Sequence, residues 1–226
     1  MRSDPSRRLP VAQPDRPTAA TTAWMEAGAG TILLALSALA AAYIAGHQGP
    51  TPLDNWGFSV VPPSLHSRFL HGITGLGSLP ALAIGSFLAG SLTSRRDGLR
   101  AVACLGGPLL AAALAEYVAK PLVGRQYLGV LCYPSGTVAV VSAVATAWVL
   151  AAPRRLRPMA GVASAMVVLL MADAVVGLRW HYPSDALAGA VLGVGPVLLV
   201  DGLLHLSDRR SRASRPGARL PLSRQR

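Results

Sequence analysis

Charge is scarce in this chain. Asp, Glu, Lys and Arg make up 14% of its 226 residues, too few to cover the surface of a water-soluble domain of that length. Only ten residues are acidic, and Lys120 is the single lysine among 21 basic residues. That bias, with abundant Ala, Gly and Pro, reflects GC-rich coding and says little about function. Two cysteines are too few for a disulfide framework. Cys104 falls in an apolar run and Cys132 in a loop, so both are expected as free thiols. No His, Cys, Asp and Glu spacing suits a metal, and no cofactor motif is present. Residues 1–24 do not resemble a signal peptide, whose basic stretch runs directly into its apolar core.

Apolar side chains fill what charge leaves: 52% of the residues are hydrophobic and the mean hydropathy is +0.44. Runs of about 18 to 22 apolar residues are long enough, as helices, to cross roughly 30 Å of hydrocarbon. The pattern predicts an all-α polytopic membrane protein, a bundle of six transmembrane helices. Polar tails over 1–24 and 207–226 are expected to be disordered around a membrane domain at 25–206. The spans are expected near 28–45, 69–92, 99–119, 135–152, 159–178 and 184–204. Gly106-Gly107-Pro108 predicts a kink in the third. Gly189 and Gly193 on the sixth predict close helix packing.

A net charge of +11 invites a nucleic-acid reading. Its placement argues against one, because the arginines sit in tails and turns between apolar runs. With both termini cytoplasmic, every basic residue except Arg68, Lys120, Arg125 and Arg179 falls on the inner side. The positive-inside rule favours that orientation in a cell inner (plasma) membrane.

Parity then puts three polar clusters on the outer face. Lys120 and Arg125 lie in one loop, suited to clamping an anion. Pro134-Ser135-Gly136-Thr137 opens the fourth helix; Ser135 is a natural N-cap, and the amides behind it with the helix dipole form a phosphate cradle. His181 and Asp185 are four apart in His181-Tyr182-Pro183-Ser184-Asp185, so one helical face can carry both, with the carboxylate orienting the imidazole. A nucleophilic histidine, cations and a helix N-terminus are the parts of phosphoryl transfer through a phosphohistidine. Glu116, one turn before Lys120, is expected to pair with it. Asp173, inside the fifth span, has Arg179 or Lys120 as partner.

Over about Leu99–Leu204 the sequence resembles the type 2 phosphatidic acid phosphatase superfamily, which carries K-x6-R-P, P-S-G-H and S-R-x5-H-x3-D on six helices. The corresponding stretches here are Lys120-Pro-Leu-Val-Gly-Arg125-Gln-Tyr127-Leu128, Pro134-Ser135-Gly136-Thr137 and His181-Tyr182-Pro183-Ser184-Asp185. The resemblance implies His181 as nucleophile with Asp185 as its partner, and Lys120, Ser135 and Gly136 on the phosphate. Arg125 stands where many members have an additional Arg. It further implies hydrolysis of a membrane lipid phosphate or diphosphate, with no metal.

Three departures stand out. Tyr127-Leu128 replaces Arg-Pro, Ala174-Val175 replaces Ser-Arg, and Thr137 replaces the histidine that protonates the leaving oxygen. Arg179 is either a substitute phosphate ligand or a headgroup anchor, and Thr137 retains only a hydroxyl for the phosphate. His66 or His71 could supply the acid, or a diphosphate substrate could need less of one. The alternative is a protein that binds lipid phosphate, or supports a cell-envelope complex, without turnover.

Overall fold

The computed structural model describes residues 19–214. These form nine α-helices: α1 (Ala19–Ala45), α2 (Pro52–Val60), α3 (Arg68–Thr74), α4 (Leu79–Ser94), α5 (Gly98–Ala113), α6 (Lys120–Val123), α7 (Gly136–Ala151), α8 (Arg157–Gly177) and α9 (Pro183–Ala213). The only sheet among the described residues is a small hairpin of β1 (Gln126–Tyr127) and β2 (Val130–Leu131). Its two-residue turn places Leu128 and Gly129 at φ 50° and 81°, the left-handed pair that suits a tight hairpin. Cys104 and Cys132 are both free, as the sequence predicts, and both are buried.

Four helices are long and apolar enough to cross a bilayer: Ala20–Ala45, Gly98–Val123, Arg154–Gly177 and Pro183–Arg212. The predicted second span is instead a pair, Arg68–Gly77 and Leu79–Ser94, bent by 55°. The break follows from Ser78-Leu79-Pro80. Ser78 caps a new helix by accepting from Ala81 N, and Pro80 sits in its first turn, where a missing N–H costs nothing. The predicted fourth span is α7, 16 residues long, or about 24 Å at 1.5 Å per residue. Ala152 turns extended ahead of Pro153, as a residue before proline prefers, and so ends it. Among the described residues the count is therefore four spans, or five with the bent pair as one, where six were expected.

Helical structure reaches beyond the expected 25–206 limits at both ends. Helix α1 starts at Ala19 and α9 continues to Ala213; the rest of both segments lies outside the described residues. Packing extends α1, since Ala23 and Ala27 are buried and lie where a Cβ on Gly202 of α9 would strike their backbone.

Helix α9 is the spine of the bundle, with α1, α5 and α7 laid along it. Close approach to α7 depends on Gly189 and Gly193, where a Cβ would collide with the carbonyls of Ser135 and Ala139. The predicted Gly-x-x-x-Gly is thus a packing surface. Small residues line the interior, among them Ala89, Cys104, Ala111, Ala143 and Ala147. A second cluster joins Val138, Met171, Val175 and Ala186. Large apolar side chains such as Leu39, Ile84, Phe87, Met166 and Leu169 face outward, the inversion expected of helices solvated by lipid.

Polar groups gather at the two ends of the bundle. At one end Arg100 of α5 binds Asp201 of α9 (2.8 Å) and Glu26 of α1 (3.4 Å), and His205 reaches Asp97 at 3.0 Å. At the other end lie the residues singled out for chemistry.

Candidate functional site

The segment between α6 and α9 assembles this end. Gly124 takes the left-handed conformation that ends α6 (φ 67°) and turns the chain into Arg125. Cys132 N then donates back to Arg125 O, closing the loop around the hairpin. Ser135 caps α7, accepting from Val138 N at 3.4 Å. Its own N–H donates to Asp185 O at 2.9 Å, which locks the head of α7 against the first turn of α9.

His181 lies in the loop after α8, its side chain 12% exposed. Its Nδ1 is 2.8 Å from the carbonyl of Cys132. A carbonyl only accepts, so Nδ1 carries the proton and Nε2 keeps its lone pair. Asp185 Oδ2 is 3.9 Å from Nδ1, beyond hydrogen-bond reach. The orienting contact expected from Asp185 is therefore made by a backbone carbonyl. Helix α9 begins at Pro183, which leaves His181 outside the helix. Asp185 instead turns back onto its N-terminus and accepts from Tyr182 N at 3.0 Å. Burial pushes the His181 pKa down to about 4; the Cys132 carbonyl opposes this and the nearby Lys120 charge adds to it. The imidazole is neutral near pH 7.

Lys120 pairs with Glu116 as predicted, with Nζ 2.7 and 2.8 Å from its two carboxylate oxygens. A π-helical stretch, Leu114–Ala119, carries Glu116, a local widening often found at functional positions. It brings the carboxylate against the head of α7, where a Cβ on Gly136 would overlap Glu116 Oε1 and lie 3.6 Å from Lys120 Nζ. The head of α7, predicted as an anion cradle, thus has a carboxylate of the protein itself packed against Gly136.

Arg125 stands apart from the predicted phosphate clamp. Its side chain is fully buried. Nη1 donates to Asp185 Oδ1 (2.7 Å) and Ser184 Oγ (2.8 Å). Nη2 donates to Asp54 Oδ2 (2.7 Å) and Gly49 O (2.8 Å). The guanidinium also lies 4.0 Å over the Tyr182 ring, and only Nε lacks a partner. No face is left for a ligand; Arg125 ties α2, the preceding loop and α9 together. Asp54 is its counterpart. It further accepts from Ser184 N (2.8 Å), Thr51 N (2.8 Å) and Thr51 Oγ1 (2.9 Å). Burial pushes the Asp54 carboxyl up, but these bonds from Thr51, Arg125 and Ser184 outweigh it and hold the pKa below the ordinary value. Sequence reasoning passed over Asp54. Its signal was Thr51-Pro52-Leu53-Asp54, an N-cap followed by an acid three residues on.

Arg179 has Nη1 buried without a partner. Held at φ 55°, it stacks 4.2 Å from the Phe58 ring and donates to Val61 O at 3.2 Å, fastening α2 to the α8–α9 loop. Thr137 packs against the turn between α3 and α4, where a Cβ on Gly77 would overlap its methyl group. His66 is exposed. His71 is exposed too, bonded to Ser67 O at 2.9 Å and set edge-on to Trp180, the residue before His181. Asp173 is exposed and forms no ion pair among the described residues.

Lys120, Glu116, the head of α7 and His181 therefore converge at one end of the bundle, where Asp185 joins the head of α7 through its backbone carbonyl and Arg125 through its carboxylate. The Cys132 thiol beside them is pushed well up by burial and the Asp185 charge, so it stays protonated and unreactive. Comparison of the chain with family models, with curated proteins and with solved structures finds no match.

Proposed function

We propose that this protein is a membrane lipid phosphatase or diphosphatase that works through a phosphohistidine on His181. The observation that carries the reading is the state of that imidazole: Nδ1 committed to the Cys132 carbonyl, Nε2 bearing its lone pair, within the field of Lys120. Nε2 attacks the phosphorus of a lipid phosphate ester while Lys120 and the head of α7 stabilise the equatorial oxygens. The P–O bond to the leaving group breaks: a lipid alkoxide takes its proton from water, whereas the lipid phosphate that leaves from a diphosphate departs as a stable anion without one. Water then attacks the phosphohistidine, releasing phosphate and restoring the neutral imidazole. Absence of a general acid typically costs about 10²- to 10⁴-fold in rate, which places this enzyme among slow ones or favours a diphosphate substrate.

The same reading sets the protein in the cell inner (plasma) membrane with six crossings, the bent α3–α4 pair and short α7 each counted as one. Both termini are cytoplasmic and the His181 end faces outward, as the arginine distribution favours. Phosphate release from phosphatidic acid, phosphatidylglycerol phosphate and polyprenyl diphosphate by the detergent-purified full chain tests the activity. His181→Ala is expected to abolish release, and wild-type protein inactive on all three would count decisively against it. The second reading, a lipid-phosphate-binding protein without turnover, is favoured by the Thr137 position beside Gly77. Thr137→His separates the two: a gain in release indicates a site complete except for its acid.

A further inference from the structure

Glu116 is out of place for a site that receives anions. Its carboxylate occupies the ground a phosphate oxygen would take, on Lys120 Nζ and against Gly136. The positive end of the α7 dipole favours negative charge at Gly136, and Lys120 Nζ donates to both carboxylate oxygens, so the carboxylate is held by the same charges that would hold a phosphate. The Glu116 side chain is 44% exposed and that of Lys120 18%. The carboxylate therefore forms the outer layer and has open space to swing into.

We infer that Glu116 is a self-supplied anion gate: it fills the cradle when no ligand is present, and an incoming phosphate binds by displacing it. This rests on the reading above, that the space between Lys120, α7 and His181 accepts a phosphate. The chemistry recognised is a phosphate anion, whether on a lipid headgroup or free in solution. The gate lowers apparent affinity by the fraction of time the cradle is open, and that factor is common to every anion. It leaves the ranking of ligands unchanged and raises the threshold for all of them. Weak monoanionic phosphodiesters, the bulk headgroups of a membrane, fall below occupancy, while dianionic phosphomonoesters still bind.

The test is isothermal titration of the full chain in detergent with inorganic phosphate, dimethyl phosphate and dihexanoyl phosphatidic acid. An exposed ion pair and a helix-terminus contact together set the gate at roughly 2- to 30-fold. Glu116→Gln and Glu116→Ala are expected to tighten all three ligands by one common factor in that range, with melting temperatures close to wild type. Lys120→Met abolishes binding in every background if the cradle is the site measured. Tighter binding of dihexanoyl phosphatidic acid than inorganic phosphate identifies a headgroup site; the reverse identifies a free-phosphate site. Wild-type binding that Glu116→Gln leaves unchanged or weakens overturns the gate while sparing the phosphate reading. No binding by wild type or either variant overturns both.

Discussion

Replacing Arg125 by methionine removes the cation between Asp54 and Asp185 while keeping much of the side-chain volume. In the native protein its guanidinium makes four hydrogen bonds of 2.7–2.8 Å, and both carboxylates have fully buried side chains. The substitution leaves two buried negative charges without their shared counter-ion. Removing one partner of a buried pair costs about 3–5 kcal/mol, because the surviving charge keeps its desolvation penalty. For a chain of this size 1 kcal/mol corresponds to roughly 2–4 °C, so Arg125→Met is expected to melt about 6–20 °C lower. Fluorescence-detected size exclusion of heated, detergent-solubilised protein reads this directly. Removing the carboxylates as well, in Asp54→Asn/Asp185→Asn/Arg125→Met, is expected to recover much of the loss, since the penalty belongs to the unpaired charges. A ligand-binding arginine behaves in the opposite way, losing anion affinity with little change in melting. An Arg125→Met protein that melts within about 2 °C of wild type, on the same scale, would refute the structural role assigned here.

Three further outcomes follow from the same geometry. The His181 imidazole, followed by NMR of labelled histidine, is expected to titrate near pH 4. Any reaction that uses its lone pair should hold level above that pH and decline below it, and Lys120→Met should move the midpoint upward; titration near 6.5 would contradict the burial account. Gly189→Ala sets a methyl group against the Ser135 carbonyl, so overpacking should cost about 1–3 kcal/mol and shift the head of α7, weakening anion binding in protein that still folds. Cysteine substitutions at the exposed Val130 and Arg96 should label from opposite sides with an impermeant maleimide, Val130→Cys from outside. The buried native Cys104 and Cys132 should stay silent, and labelling of both positions from one side would overturn the proposed topology.

Contacts within one helical stretch were legible because helix geometry fixes them. Glu116 and Lys120 are four residues apart in a continuous helical segment, and they meet as that spacing requires. Gly189 and Gly193 read as a packing face for the same reason. His181 and Asp185 share the spacing but not the geometry, because Pro183 begins the helix two residues after the histidine. The imidazole was left to find a backbone acceptor in another loop. The broken second span shows a similar limit: hydropathy reports apolar content along 69–92, while the Ser78 cap and Pro80 decide where the helix restarts.

Composition and charge order alone determined that this chain is a helical membrane-type protein with Lys120, the Pro134-Ser135-Gly136 turn and His181 drawn toward one end. Those properties depend on local periodicity and on where charge can reach water, both of which are written in consecutive residues. Only the tertiary structure decided that Arg125 belongs to the scaffold, that Arg179 stacks on Phe58, and that the Glu116 carboxylate packs against Gly136. Each of those outcomes is a choice among competing partners distant in sequence. Arg125 lies 71 residues from Asp54, and the choice is fixed by which groups burial brings together and leaves without water.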